Sequence, residues 1–236
     1  MKKGHIIVIE GLDGSGKETQ SKKLYEKLLE TNIPVMRLSY PRYEKESSAL
    51  VRMYLRGDFG EDPQQISPYI SSTFFAADRY ASYKTEVEDF YREGGIVIAD
   101  RYTTSNMLHQ AGKMKDDQEV EKFLDWLWHY EFELYQIPKP DLVLYLDIPL
   151  EETIKRIEKR DREQKITEKK DIHEGSRDHL LQAAERAGQL VEKYGWTKIS
   201  CAKDGQWRSI DEISDEVFAK VLEVFENQKE EEGNKK

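Results

Sequence analysis

The chain has 236 residues and carries 46 acidic against 37 basic side chains, a formal net charge of −9. Apolar residues make up 38% of it and charged residues 35%, which is typical of a soluble domain long enough to bury a sizeable core. The acidic balance argues against a general nucleic-acid binder, because such proteins present a basic face. The first apolar stretch is too short for a signal peptide or a membrane span, so we expect a cytoplasmic protein without a membrane partner.

The only cysteine of the chain is Cys201. It cannot form an internal disulfide, and the sequence contains no Cys/His cluster with the spacing of a zinc site. We therefore expect Cys201 to be a small buried apolar residue.

The first predicted strand, residues 6–10, runs directly into the glycine loop Gly11-Leu12-Asp13-Gly14-Ser15-Gly16-Lys17. This loop has the pattern G-x-x-x-x-G-K and is followed by helical spacing. Between a strand and a helix, such a loop binds phosphate through its backbone N–H groups and the helix N-terminus, and its lysine reaches the outer phosphates. The pattern predicts a nucleoside triphosphate site; the alternative is an ordinary glycine turn.

One residue of this motif departs from the usual pattern. The position after Lys17, which is usually Ser or Thr and contacts Mg²⁺, is occupied by Glu18. Thr19 lies about 100° further around the helix and cannot simply replace that contact. The expected triphosphate-binding residues are Gly11, Asp13, Gly14, Ser15, Gly16, Lys17, Glu18 and Thr19.

Strands and helices alternate along the rest of the chain. Further strands are predicted at residues 34–40, 96–100, 141–147 and 197–201, and helices at 19–30, 67–92, 120–134 and 176–194. This order predicts an α/β fold with a five-stranded parallel sheet flanked by helices on both faces, with ligands at the carboxyl ends of the strands. We expect one domain over residues 1–226 and a frayed polar tail over 227–236.

An acid and an arginine follow the third predicted strand. Asp100 ends the apolar run at residues 96–99, and Arg101 comes next. An acid at this place can orient Mg²⁺ directly or through water, and a guanidinium beside it can bind phosphate oxygens. The alternative is that the two residues only pair at a strand end.

Several motifs, taken in chain order, resemble those of the thymidylate kinases. They are the glycine loop, Phe75-Ala76-Ala77-Asp78-Arg79, Asp100-Arg101-Tyr102, Ser105-Asn106 and Gln110. The resemblance runs from Gly4 to about Tyr194. It implies a P-loop nucleoside monophosphate kinase-like fold, ATP and dTMP as substrates, Mg²⁺ as cofactor, and a homodimer.

The resemblance also implies how dTMP is held. Phe75 and Arg79 lie four residues apart on one helix face, so a ring and a guanidinium can hold a pyrimidine together; without the resemblance, Phe75 would be core and Arg79 a surface residue. Arg42 resembles the arginine that contacts the monophosphate, and Asp13 the acid that meets the sugar 3′-hydroxyl or a metal-bound water. The expected dTMP-binding residues are Asp13, Tyr40, Arg42, Phe75, Arg79, Arg101, Asn106, His109 and Gln110.

Three of these positions leave alternatives open. Asn106 and Gln110 can present amides to the base, but they can also be ordinary polar helix residues. His109 stands where many family members carry a tyrosine near the sugar 2′ position, so the selectivity for deoxyribose is not defined by the motif.

The source of the catalytic charge also follows from the resemblance. Some thymidylate kinases carry an arginine within the glycine loop, whereas this chain has Ser15 there. Arg156 and Arg160 lead into the charged segment at residues 160–175 and resemble the flap arginines of the bacterial type; alternatively, they form surface pairs. The expected catalytic residues are Lys17, Arg101, Arg160, Arg156 and Asp13, and the expected metal ligands are Asp13 and Asp100.

Two other functions remain possible from the sequence. A related kinase could act on another nucleotide or on a nucleoside hydroxyl, but a hydroxyl acceptor needs a carboxylate base, and the second strand is followed by Arg42. A non-catalytic nucleotide-binding regulator would have no use for the Phe75 and Arg79 pair.

Overall fold

The computed structural model describes residues 3–149, 151–153, 177–203 and 206–233. Five strands form one parallel sheet in the order β2-β3-β1-β4-β5. They are β1 (His5–Gly11), β2 (Val35–Ser39), β3 (Ile96–Asp100), β4 (Leu142–Asp147) and β5 (Thr197–Ser200). The predicted sheet is therefore confirmed, and each strand lies within about one residue of its expected position. Buried parallel strands read as continuous apolar runs, which is why the sequence locates them well.

Eight α-helices are assigned within the described residues. They are α1 (Lys17–Leu29), α2 (Ala49–Leu55), α3 (Pro68–Ser82), α4 (Glu88–Arg92), α5 (Thr103–His109), α6 (Asp117–Trp128), α7 (Arg177–Tyr194) and α8 (Ile210–Gly233). The last helix continues into the first part of the segment that we expected to be a frayed tail. A short antiparallel pair, β6 (Ala202–Lys203) and β7 (Gln206–Trp207), precedes α8.

Two of the long predicted helices are not regular. The helix expected over 67–92 contains a π-helical turn, Tyr83–Val87, between α3 and α4. The helix expected over 120–134 begins earlier, at Asp117, because the Asp116 side chain caps it by accepting from the Glu119 backbone N–H. It then widens into a second π-helical turn, His129–Leu134. A constant 3.6-residue period does not predict either turn. The short helix α2 was not predicted, and α5 was expected only as a helix at Asn106 and Gln110, without bounds.

Alternate residues of each strand face opposite layers of helices. On one face, Ile7 and Ile9 pack with Leu24 and Leu28 of α1 and with α8. On the other, Ile6 and Val8 belong to a cluster with residues of α5, α6 and α7. Cys201 is buried in the first of these layers, as expected.

The carboxyl ends of β1, β2 and β3 lie side by side, since Ile9 and Ser39 both pair with Asp100 in register. The glycine loop, the turn after Ser39 and the segment after Asp100 therefore meet at one edge of the sheet. In the described part of the chain, no helix is both long and apolar enough to cross a membrane.

Candidate active site

The glycine loop closes tightly on the start of α1. Gly11, Gly14 and Gly16 have φ values of 153°, 76° and 92°, which side chains rarely adopt. A Cβ on Gly11 would lie 2.9 Å from the carbonyl oxygen of Leu146 on β4, so the neighbouring strand also requires glycine here. The Lys17 ammonium folds back over the loop and donates to the carbonyl oxygens of Gly11 and Leu12, both at 2.8 Å.

Three charged side chains meet at this loop. Arg101 donates through Nη2 to Oδ1 of Asp13, and Lys17 Nζ lies 3.9 Å from the same oxygen. Burial alone would raise the pKa of Asp13, but the positive charges of Arg101 and Lys17 outweigh it and hold that pKa well below its usual range. Burial and the nearby Arg101 lower the pKa of Lys17 to about 8. Lys17 and Arg101 are therefore both cationic at neutral pH, and each can pair with phosphate oxygens.

Arg101 reaches Asp13 because the chain turns sharply after β3. Its φ is 66°, the left-handed region that a residue with a Cβ adopts at a cost of about 1–3 kcal/mol. Its backbone N–H still donates to the carbonyl oxygen of Ile9 on β1 at 3.2 Å. Strained backbone of this kind concentrates at functional sites.

Glu10 is a fully buried carboxylate at this edge that the sequence reasoning missed. It accepts from the backbone N–H of Gly11 at 3.0 Å and from the hydroxyls of Thr104 and Ser105 at 2.6 and 2.8 Å. The bonds join the glycine loop to the first turn of α5. The sequence signal for Glu10 is its position, an acidic residue directly after the apolar run at residues 6–9.

The residues expected to hold Mg²⁺ lie on the same edge. Asp100 is buried at the end of β3, and its Oδ2 lies 3.4 Å from the Ser39 hydroxyl and 3.8 Å from Nη2 of Arg37. Oxygen ligands suit Mg²⁺, which proteins bind through one or two carboxylates together with substrate phosphates. The carboxylates of Asp13 and Asp100, next to a phosphate loop, fit that requirement.

Arg37 ties this carboxylate to the start of α1. Its Nε donates to the Ser21 hydroxyl at 2.9 Å, and its Nη2 lies 3.5 Å from the carbonyl oxygen of Glu18. The side chains of Glu18 and Thr19 are exposed. Arg37 was not among the site residues expected from the sequence.

A pocket with about 590 Å³ of free space, part of it open to solvent, adjoins the glycine loop. All the residues expected to bind dTMP line it except Arg42. The lining also includes residues that the expected set lacked. The full lining is Asp13, Tyr40, Pro41, Tyr43, Leu55, Phe75, Arg79, Arg101, Tyr102, Ser105, Asn106, His109 and Gln110. Asp13 therefore belongs to both the glycine loop and the pocket, and Arg101, which donates to Asp13, lines the pocket as well.

Phe75, the aromatic side chain expected to stack on the base, packs against a second aromatic ring. The ring of Phe75 meets that of Tyr54 edge-on, with centroids 6.0 Å apart at 89°. Tyr54 lies on α2, a helix that the sequence reasoning missed. This contact fixes the orientation of the Phe75 ring, which also lines the pocket.

Two amides on α5 and its end are held by α3. Gln110 accepts from the Ser71 hydroxyl at 2.6 Å, and Asn106 donates to the carbonyl oxygen of Ser72 at 3.3 Å. His109 lies beside them, with Nε2 3.4 Å from Nη1 of Arg101. The amides are thus fixed in the wall of the pocket.

Arg42 and Arg79 both pair with a glutamate of a π-helical turn. Arg42 donates through Nη2 to Glu86 at 2.9 Å and through Nη1 to Ser82 at 3.0 Å, beside the pocket. Its backbone N–H donates to the buried Asp78 at 2.8 Å. Arg79 is buried and pairs with Glu131. None of these partners was identified from the sequence.

The predicted flap residues Arg156 and Arg160 lie outside the described residues.

Because the glycine loop has the geometry of a phosphate-binding loop and opens onto a pocket lined by an aromatic ring and arginines, the fold and the site define an ATP-dependent nucleoside monophosphate kinase. Residues 9–201 match the family model described as Thymidylate kinase. This chain belongs to the thymidylate kinase family.

Individual relatives agree with that assignment. The chain is 34% identical over 158 residues to a probable thymidylate kinase of Pyrococcus horikoshii, covering 67% of this chain and 72% of the relative. It is 31% identical over 187 residues to a probable thymidylate kinase of Thermococcus onnurineus, covering 78% and 86%. It is also 31% identical over 147 residues to a thymidylate kinase of Mycobacterium tuberculosis, covering 62% and 67%.

Proposed function

We propose that this chain transfers the γ-phosphoryl group of ATP to the phosphate of dTMP, giving dTDP and ADP. The hydrogen bond from Arg101 to Asp13 carries the proposal, because both residues line the pocket and Asp13 is also part of the glycine loop. A nucleotide in the pocket and a triphosphate on the loop would therefore meet at this pair.

The chemistry requires little beyond alignment and charge. An oxygen of the acceptor monophosphate attacks the γ-phosphorus, and the bond from that phosphorus to the oxygen bridging to the β-phosphate breaks. The acceptor oxygen is already ionised, so the step needs no general base. Lys17 and Arg101 stabilise the charge that spreads over the moving group, and Asp13 orients Arg101. Asp100 and Asp13 would hold Mg²⁺, which would neutralise charge on the ATP oxygens.

The acceptor is recognised by its base and its phosphate. Phe75 supplies a ring for stacking, Arg79 supplies donors for a base carbonyl, and Asn106 and Gln110 supply amides. Arg42, at the rim, would bind the monophosphate after exchanging its contact with Glu86. His109 lies next to Arg101, and we assign it a contact with the sugar.

Further positive charge is assigned to Arg156 and Arg160, as in thymidylate kinases of the bacterial type. The support is Ser15, which stands in the loop where other members carry an arginine. We also propose that the enzyme acts as a cytoplasmic homodimer. The support is that apolar side chains such as Ile70 and Leu134 are exposed to solvent, as residues of an association surface are in the separated subunit.

A panel of acceptors with Mg²⁺ and ATP tests this function. ADP release is measured with dTMP, dUMP, dCMP and thymidine at equal concentrations. We expect dTMP to give the highest kcat/KM. Turnover with thymidine alone would identify a hydroxyl acceptor instead, and ATP binding without acceptor-dependent ADP release would identify a non-catalytic nucleotide-binding protein.

A further inference from the structure

Glu131 makes the most completely buried ion pair at the pocket. Its Oε2 accepts from Nε of Arg79 at 2.6 Å, and its Oε1 accepts from Nη2 at 2.5 Å. The Thr103 hydroxyl donates to Oε2 at 2.8 Å. Glu131 is fully buried and Arg79 is 2% exposed, so solvent does not screen the pair.

The pairing determines which donors Arg79 can offer. A guanidinium has five N–H groups in a rigid fork, and Glu131 takes the Nε–H and one of those on Nη2. One N–H of Nη1 donates to the carbonyl oxygen of Tyr102 at 3.4 Å. The donors that remain are the second N–H of Nη1 and the outer N–H of Nη2. Arg79 itself lines the pocket. Arg79 therefore offers only N–H donors to the pocket. They can pair with a carbonyl group of the bound base, whereas an amino group in the same place would find no acceptor on Arg79.

The helix α6 and the π-helical turn after it place Glu131 beside Arg79. Val120, Leu124 and Leu127 form the apolar stripe of α6, and Glu131 lies four residues beyond Leu127 on the same stripe. The π-helical turn His129–Leu134 carries it. Such turns occur frequently at functional sites. A carboxylate on a core stripe is costly unless it is fully bonded, and here three hydrogen bonds satisfy it.

We infer that Glu131 is a positioning residue that locks the Arg79 guanidinium with its free donors toward the base, so that the site prefers a pyrimidine with a carbonyl at this position over one with an amino group. The inference rests on the proposed function. Glu131 acts on the binding and discrimination of the acceptor base through Arg79, and it does not contact the reacting phosphates.

The test is the variant Glu131→Gln, which keeps the shape of the side chain but loses its charge and one acceptor. Hydrogen bonds to charged groups are worth about one to two powers of ten in binding. We therefore expect KM for dTMP to rise about tenfold, the kcat/KM preference for dTMP over dCMP to fall, and KM for ATP to change less than about twofold. Glu133→Gln, at an exposed position of the same turn, is the matched control and should behave as the unmodified protein does.

A second pair of variants shows whether Glu131 acts through Arg79. In an Arg79→Met background, Glu131→Gln should cause no further rise in KM for dTMP. A further rise of the same size would overturn the inference, and so would an unchanged dTMP to dCMP preference in the single variant. If Glu131→Gln does not fold, Thr103→Val takes its place: it removes only the third hydrogen bond, and KM for dTMP should rise about two- to threefold. An unchanged KM there would also overturn the inference.

The unmodified protein separates this result from failure of the proposed function. If it releases no ADP in response to dTMP, the function itself is wrong. If it turns over dTMP and the variants keep its KM values and base preference, only the role of Glu131 is wrong.

Discussion

The guanidinium of Arg101 donates to the carboxylate of Asp13 across the edge of the sheet, joining the residue after β3 to the loop after β1. The ammonium of Lys17 lies 3.9 Å from the same carboxylate oxygen. The acid therefore fixes two cations whose charges would otherwise repel each other. A negative charge beside a phosphate site is thus a means of holding positive charge in place.

Replacing Arg101 should damage turnover far more than folding. In Arg101→Met the kcat for dTMP should fall about 10³-fold, a magnitude typical of an arginine that stabilises phosphoryl transfer. Lys17 remains beside Asp13, so the carboxylate keeps a positive neighbour and the melting temperature should fall by only a few degrees. Coupled ADP release and thermal melts measure the two effects.

The control for the Arg101 variant is the replacement of a solvent-exposed arginine. Arg92→Met, at an exposed position on α4, should leave both measurements unchanged. Arg101→Met with normal turnover, or with a loss of turnover that only follows unfolding, would contradict the assignment.

The base pocket can be tested with two neighbouring rings. Phe75 and Phe74 both pack on Tyr54, at centroid distances of 6.0 and 6.2 Å, but only Phe75 lines the pocket. Stacking of a base on an aromatic ring is worth about 1–3 kcal/mol. Phe75→Ala should therefore raise KM for dTMP about tenfold or more, with little change in KM for ATP.

Phe74→Ala is the matched control, because it removes a ring of equal size from the same cluster. Both variants should lose stability in urea unfolding, and only Phe75→Ala should lose affinity for dTMP. Equal effects on KM would mean that the loss arises from disturbed packing of α3 and not from stacking on the base.

The sequence predicts the parts of this site that depend on local patterns, and it does not predict contacts between residues that are far apart in the chain. The strands that end at Asp100 and at the glycine loop are apolar runs and were predicted nearly to the residue, and the ordered motifs identified most of the pocket lining. The partners of Arg42 and Arg79 were not predicted. Asp78, Glu86 and Glu131 are distant in sequence from the arginines that they bind, and the two glutamates lie on π-helical turns that a 3.6-residue period does not predict. Glu131 left one local sign, a carboxylate on an otherwise apolar stripe.

Glu86 should compete with the acceptor phosphate for Arg42. Its carboxylate lies 2.9 Å from Nη2 of Arg42 and 3.2 Å from Nζ of Lys45. Partly exposed pairs of this kind are worth at most about 1 kcal/mol, so Glu86→Gln should lower KM for dTMP by a few-fold. Arg42→Gln should raise it. Steady-state kinetics at fixed ATP measure both changes.

An acid on the adjoining helix serves as the control for Glu86. Glu88 pairs with Lys84 and Arg92, and Glu88→Gln should leave KM for dTMP unchanged. A higher KM in Glu86→Gln would show that the carboxylate positions Arg42 for the phosphate and does not compete with it.

Lys113 should make the free energy of unfolding depend on pH. Its ammonium is buried and donates to the Tyr54 hydroxyl at 2.8 Å. Burial lowers its pKa to about 7, against about 10.4 in an unfolded chain. Between these values the unfolded state binds more protons, so the free energy of unfolding rises with pH, by at most about 1.4 kcal/mol per unit from this group. Below pH 7 both states are protonated and the dependence vanishes.

The variant Lys113→Met isolates that contribution, because the other groups that titrate in this range, including Lys17, are common to both proteins. Urea unfolding at pH 6, 7.5 and 9 should show the unmodified protein gaining stability relative to the variant as pH rises. Lys115→Met, at an exposed position two residues on, should give a difference that does not change with pH. A constant difference for Lys113→Met as well would mean that Lys113 keeps its proton in the folded state throughout this range.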